Sequence, residues 1–234
     1  MRWLIPVLLT ASLGAAQNGN SPGDNLDKLL DRQDRAGLEQ AAGSLHSAAA
    51  AKPADANGWY RAALAHSYAA EVAMEQHDKA GSEKFARAGA KDAEQAVNLN
   101  GNSAEYHRLL GTLYGQIIPA NPLIGAISFA KRAKEELERA LALDPKSPHV
   151  WVAHGVGFYY LPTNFGGGAE NAIKDYRKAI ALDPKSYEAY LWMGVALKKD
   201  HQDKEAREAF QKSLELNPDH LWTKQQLAGL PAQP

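Results

Sequence analysis

The chain has 234 residues, 45% hydrophobic and 23% charged, with 26 Lys and Arg against 27 Asp and Glu. That composition suits a globular protein large enough to bury a core and excludes general disorder. The formal charge of −1 provides no field for nucleic acid or an anionic bilayer, and the absence of Cys leaves packing alone to hold the fold.

The N-terminus reads as a secretory signal peptide over residues 1–16. Arg2 supplies a positive start, residues 3–13 a short apolar run, and Gly14-Ala15-Ala16 the small residues of a cleavage site. The run is shorter than the roughly 20 residues that span a bilayer, so no permanent membrane anchor is expected after cleavage. The expected location is therefore the bacterial periplasm or the exterior, in soluble form. Residues 17–23 are Gln followed by Gly, Asn, Ser and Pro, a linker. Asp24 and Asp34 can cap two helices rich in Leu and Ala, a degenerate first helix pair over 24–53.

From there the chain punctuates itself. Helix-stopping dipeptides recur at Lys52-Pro53, Asn100-Gly101, Asp144-Pro145, Asp183-Pro184 and Asn217-Pro218, at spacings of 48, 44, 39 and 34 residues. Units near 34 residues, each a helix pair, mark a helical solenoid. Pro cannot continue a helix, Gly tolerates a left-handed exit, and Asp or Asn satisfies nearby backbone groups. The repeats are 56–101, 104–145, 148–184 and 187–218, followed by a capping helix at 221–230 and a tail at 231–234. Relative to the last unit the others carry insertions of 14, 10 and 5 residues, expected between the two helices of each unit, along one edge of the stack. Gly111, Gly155 and Gly194 return at one position in three units, which predicts close helix approach there.

Within these units His107, Leu110, Gly111 and Tyr114, then Trp151, His154, Gly155 and Phe158, then Tyr190, Met193, Gly194 and Leu197 occupy the first helices. Ala133, Leu137 and Ala140, then Ala172, Tyr176 and Ala179, then Ala206, Phe210 and Ser213 occupy the second. Residues 105–218 in this pattern resemble the tetratricopeptide repeat (TPR) family, and residues 56–101 do so with Ala63 and Gly89 in place of the family's Gly and Ala. The resemblance implies an all-α, right-handed solenoid of antiparallel helix pairs and a role as an interaction scaffold. The runs 130–140 and 161–168 are further similar to exported bacterial TPR proteins, some of which look like periplasmic components that accompany solute transporters.

No catalytic constellation is present, and no cofactor or metal is expected. The Gly run 166–168 lacks a following Lys-Ser or Lys-Thr, so a tight bend is the stronger reading than a phosphate loop. None of the eight His forms an i, i+4 pair around a Glu, and His149 and His154 should diverge on their helix. Two Pro-stiffened loops, 117–129 and 159–168, carry large apolar groups that either cover the solenoid edge or flank a pocket for a small apolar ligand. A stripe on the first helices (Tyr60, Leu64 and Ser67; Glu105, Arg108 and Thr112; His149, Val152, Val156 and Tyr159; Glu188, Leu191, Val195 and Lys198) should form the concave face. It lacks the Lys, Asn and Arg set of the TPR domains that clamp a chaperone's terminal carboxylate. The candidate binding residues are Tyr60, Arg108, His149, Val152, Tyr159, Tyr160 and Phe165, with Arg108 placed to pair with a ligand carboxylate. A protein or peptide partner is expected.

Overall fold

The computed structural model describes residues 25–118, 126–161, 163 and 167–231. The expected signal peptide, the linker, Asp24, the middle of the 117–129 loop, Phe165 and most of the tail lie outside the described residues. Eleven α-helices follow in order among them. They are α1 (Leu26–Asp31), α2 (Arg35–Ala50), α3 (Ala56–Glu75), α4 (Lys79–Leu99), α5 (Ala104–Ile117), α6 (Lys131–Leu143), α7 (Pro148–Tyr160), α8 (Ala169–Leu182), α9 (Tyr187–Lys199), α10 (Asp203–Leu216) and α11 (Leu221–Ala228), with a π-helical turn at Ala126–Ala130 before α6. Consecutive helices pack as the expected pairs, α3 on α4, α5 on α6, α7 on α8 and α9 on α10, and α11 covers α10.

Local chemistry sets the boundaries. The Asp55 carboxylate accepts from the amides of Asn57 and Gly58, while Ser103, Ser147 and Ser186 each accept from the amide three residues ahead, so every first helix of a full repeat starts under a side-chain cap. At the stops, Asn100, Asp144, Asp183 and Asn217 accept the amide two residues ahead at 3.3, 3.0, 2.9 and 3.3 Å. These are Asx-turns, and they do at Asn100 what a left-handed glycine was expected to do, since Gly101 has no positive φ. The closing prolines are also read by the next layer. Trp59 Nε1 donates to the Pro53 carbonyl at 3.1 Å, and Trp151 Nε1 to that of Pro145 at 2.9 Å.

The 14-residue excess of the 56–101 unit is not a loop between its helices. Helices α3 and α4 have 20 and 21 residues against 13 and 14 in α9 and α10, seven more in each, and only residues 76–78 separate them. Residues 62–75 contain no Gly or Pro, so nothing stops α3 from gaining about two turns. The turn that follows is a tight left-handed one at His77 (φ 63°), matched by Gln33 (54°) after α1 and His201 (59°) after α9. In each, the amide after the left-handed residue bonds a carbonyl five residues back, the Schellman closure. The excess residues of the next two units do fall between their helices, before α6 and before α8. At the second of these Gly168 takes φ 111° as its amide donates to the Phe158 carbonyl at 2.8 Å, a bend that admits no ordinary side chain.

Two apolar clusters make the core. One joins α1 to α5, and the other joins α7 to α11. Within layers, small residues let helices touch. A Cβ on Gly194 would stand 2.6 Å from the Phe210 ring, one on Gly155 2.6 Å from Tyr176, and one on Gly111 2.8 Å from Leu137. Within the same pairs, His66, His107 and His154 on first helices meet Asp92, Glu136 and Asp175 on the second helices of their own units at 3.2, 2.5 and 2.7 Å, a polar clamp repeated in three units. His149 points elsewhere, so His149 and His154 diverge as expected.

The stack also curves until its ends meet. Gln33, after α1, and Gln225, on α11, exchange side-chain hydrogen bonds of 3.3 and 3.1 Å, and Asn217 donates to Asp31 at 2.8 Å. Gly194→Leu tests the helix pairing most simply. Phe210 is fully buried and has nowhere to move, so overpacking should destabilise the protein by about 1–3 kcal/mol. Thermal denaturation should show a lower Tm, and an unchanged Tm contradicts the pairing.

Candidate functional site

Because the ends meet, the face formed by α3, α5, α7 and α9 bounds a cavity of about 1200 Å³, with α11 completing the wall. Much of the expected stripe is there. Tyr60, Leu64 and Ser67, then Glu105, Arg108 and Thr112, then His149, Val152 and Val156, then Glu188 all line it. On α9 the face is rotated from the expected one. Leu191 and Val195 are buried between layers and Trp192 takes the wall position beside Glu188, four residues on.

Of the seven candidate residues, Tyr60, Arg108, His149, Val152 and Tyr160 come together around this cavity. Tyr159 does not. Its ring packs against Trp192 at 6.1 Å and under Lys199 at 4.2 Å, and its carbonyl accepts from Lys199 Nζ at 2.9 Å. Phe165 lies outside the described residues.

Arg108 has a different role from the one expected. Its Nε and Nη2 donate to the two carboxylate oxygens of Glu105 at 2.7 and 2.5 Å, and Tyr60 Oη donates to the same carboxylate at 2.9 Å. The fork that would grip a ligand carboxylate is occupied from within. Burial works against the charge of both partners, yet each holds the other ionised, Arg108 above its ordinary range and Glu105 below its own. Glu188 is likewise held below the carboxylate range against its burial, by the hydrogen bond to His149 at 3.4 Å, and that same bond raises His149.

Two acids on the extra turns of α3 behave oppositely. Burial, and then the neighbouring Glu75 and Glu188, push Glu71 well above the usual carboxyl range, with Arg108 opposing. Burial raises Glu75 to about 7 despite a hydrogen bond from Gln33 Nε2 to its Oε2 at 2.8 Å. Its other oxygen, Oε1, is buried without a partner. Aromatic rings finish this end of the cavity. Tyr160 and Trp192 lie 6.4 Å apart and Trp192 and Trp222 5.4 Å, each edge to face. Among the described residues no group of three His, Cys, Asp or Glu is arranged to hold a metal ion, and no helix is long and apolar enough to cross a membrane.

Sequence reasoning missed Glu71, Glu75, Trp192 and Trp222. The unbroken helical run from Ala62 to Glu75 was the available signal for the first two, because it extends the Tyr60, Leu64, Ser67 stripe to Glu71 and Glu75 at four-residue steps.

Residues 24–161, more than half of the chain, match the family described as regulator of microtubule dynamics protein 1-3. The chain belongs to that family. Residues 166–200 and 187–220 match TPR repeats, so the TPR resemblance holds for the C-terminal units as well. No curated protein matches the chain. Among solved structures it is similar to TTC0263, a thermophilic TPR protein of Thermus thermophilus, at 15% identity over 88% of this chain and 97% of that one, with a TM-score of 0.61. It is also similar to MamA from Desulfovibrio magneticus RS-1 (18% identity, 86% and 98% covered, TM-score 0.46) and to YrrB, a TPR protein with an unusual peptide-binding site (16%, 87% and 97%, TM-score 0.45). The first of these likenesses supports the fold. Domains of the TPR type generally mediate protein or peptide interactions.

The raised carboxyl of Glu75 has a consequence for stability. An unfolded Glu loses its proton near pH 4.3, whereas Glu75 in the fold keeps its own to about 7. In that window the folded state binds more protons than the unfolded one, so stability falls as pH rises through it. Glu75→Gln removes the charge and keeps an acceptor for Gln33. The variant should melt about 2 °C or more above the wild type at pH 8 and level with it near pH 4. The same Tm difference at both pH values contradicts the assignment.

Proposed function

We propose that the protein is a non-catalytic TPR scaffold that holds an extended segment of a partner protein inside its closed concave face. The observation that carries the reading is the cavity of about 1200 Å³. It is somewhat larger than the roughly 300–1000 Å³ of most small-ligand sites, it is walled by four successive first helices, and its side chains mix aromatic area with polar groups. Such a surface offers several modest contacts at once to an extended chain, with helical layers already in place before binding. Tyr160, Trp192 and Trp222 supply rigid apolar area, and Tyr60, Glu105 and Arg108 form a fixed polar rung across the face. The protein acts after export, in the periplasm or outside the cell, a reading supported by the pattern of residues 1–16 and tested by the N-terminal sequence of the mature protein.

A second reading has one specific observation in its favour. Ile118, Tyr160 and Leu161, at the ends of the two apolar loops, lie on the cavity wall, so a small apolar ligand could be sheltered there in the manner of a transporter accessory protein. Native mass spectrometry of the purified protein separates the two. A small extra mass that leaves on denaturation supports the ligand reading.

The peptide reading predicts that selection of a random peptide library against the folded protein returns sequences that bind it in solution. Trp192→Ala should weaken their affinity at least about tenfold, because a central aromatic anchor carries that share of an interface. Selected peptides that bind Trp192→Ala as tightly as the wild type contradict the placement in the cavity, and a selection that returns no binder contradicts the reading itself.

A further inference from the structure

The charges around the cavity do not cancel. Glu105 is matched by Arg108 and Glu188 by His149. On α6, Lys134 faces Glu138 at 3.7 Å, and His154 on α7 is engaged by Asp175. Helix α11 contributes Trp222, Gln225 and Gln226 to the wall and no charge, and the turn after α3 adds the exposed imidazole of His77. The remaining acids are Glu71 and Glu75, on the two turns by which α3 exceeds the other first helices.

Both are half-buried and lack a full set of partners. Glu71 makes no hydrogen bond or ion pair among the described residues, and Glu75 is satisfied at Oε2 by Gln33 and left without a donor at Oε1. On the same cavity wall the Ser82 hydroxyl is completely buried and also has no partner. Two carboxyls without an ion-pair partner thus share one wall, one of them with a buried oxygen that no donor reaches. Buried polar atoms are nearly always hydrogen-bonded, and such a set calls for a donor the chain does not supply. Opposite stands the aromatic wall of Tyr160, Trp192 and Trp222, whose π faces attract cations. The ring of Tyr160 is exposed to the cavity, and its hydroxyl is held above the usual range by partial loss of water, then by Tyr159, and then by Glu71 and Glu75.

We propose that this end of the cavity receives the cationic side chain of a lysine or arginine on the bound peptide segment. An ammonium brings three donors and a guanidinium five, enough to bridge the Glu71 and Glu75 carboxyls while an aromatic face covers the alkyl stem. A carboxylate ligand is disfavoured, since the one Arg of the site is held by Glu105 in both of its contacts. A divalent metal is disfavoured too, since no group of three candidate ligands is assembled among the described residues. The inference rests on the peptide reading above and adds the chemistry of the residue it recognises. It also fixes a pH dependence. The empty site holds Glu75 protonated below about 7 and raises Glu71 in the same direction, while the bound cation favours both carboxylates, so binding releases protons and tightens as pH rises from about 6 to 8.

The test is selection of a random peptide library against the wild type and against Glu71→Gln/Glu75→Gln, followed by titration of a selected basic peptide and its analogue with each Lys or Arg replaced by Met. The double variant removes two unmatched buried charges, and circular dichroism checks that it is folded. The wild type should enrich Lys and Arg, and its affinity for the basic peptide should exceed that of the double variant about tenfold or more, with the Met analogue bound equally by both. Peptides that bind in the cavity without basic enrichment, or a basic peptide bound equally by wild type and double variant, overturn the proposal and leave the peptide reading intact. Absence of any peptide binder overturns both. Binding of free spermidine with no peptide binding overturns the commitment to a peptide side chain.

Discussion

The curvature that brings the turn after α1 against α11 is the constraint on which the rest of the molecule depends. Gln33 and Gln225 are 192 residues apart in the chain, and their paired amides, with Asn217 on Asp31, close the solenoid into a ring around its concave face. These bonds are mostly exposed and each contributes about 1 kcal/mol at best. They do not bend the stack. Inside the layers Gly111, Gly155 and Gly194 bring first helices onto Leu137, Tyr176 and Phe210, and the extra turns of α3 carry Glu75 onto Gln33. The closing bonds then hold one state of a shape already prepared, tying the apolar cluster of α1–α5 to that of α7–α11.

Closure turns a surface into a compartment, and that changes the electrostatics of every group facing it. On an open groove Glu71 and Glu75 would be ordinary solvated carboxylates. Inside the ring they lose water, repel each other and hold protons into the neutral range, while Glu105 and Glu188 keep their charges because Arg108 and His149 stand beside them. One fold thus contains three matched acids and two unmatched ones within the same walls. The unmatched pair destabilises the empty protein, as polar groups arranged for a ligand commonly do.

Much of this was legible in the residues. Asp, Asn and Pro at the unit ends and Gly at the crossings each act locally, so the helix pairs and most of the concave stripe follow from spacing alone. Three things were not legible for physical reasons. The 14 extra residues of the second unit read as a loop because the comparison was with a shorter repeat, although residues 62–75 contain no breaker and continue as helix. The face of α9 was one residue out of phase because Leu191 and Trp192 both suit a wall, and only packing between layers decides which of them is buried. The contact between Gln33 and Gln225, and the engagement of Arg108 by Glu105, depend on superhelical curvature and rotamer choice, which leave no periodic trace in a sequence.

The most direct test of the closed ring uses the absence of Cys in the natural chain. Arg32 and Lys224 are exposed and adjoin Gln33 and Gln225, so Arg32→Cys/Lys224→Cys leaves the closing bonds in place. Treatment of the dilute double variant with a short bifunctional maleimide, followed by digestion and mass spectrometry, should give an intramolecular link between positions 32 and 224 in high yield. A protein that carries both thiols in reactive form and yields no such link has its ends apart. It would then present an open groove in place of the cavity.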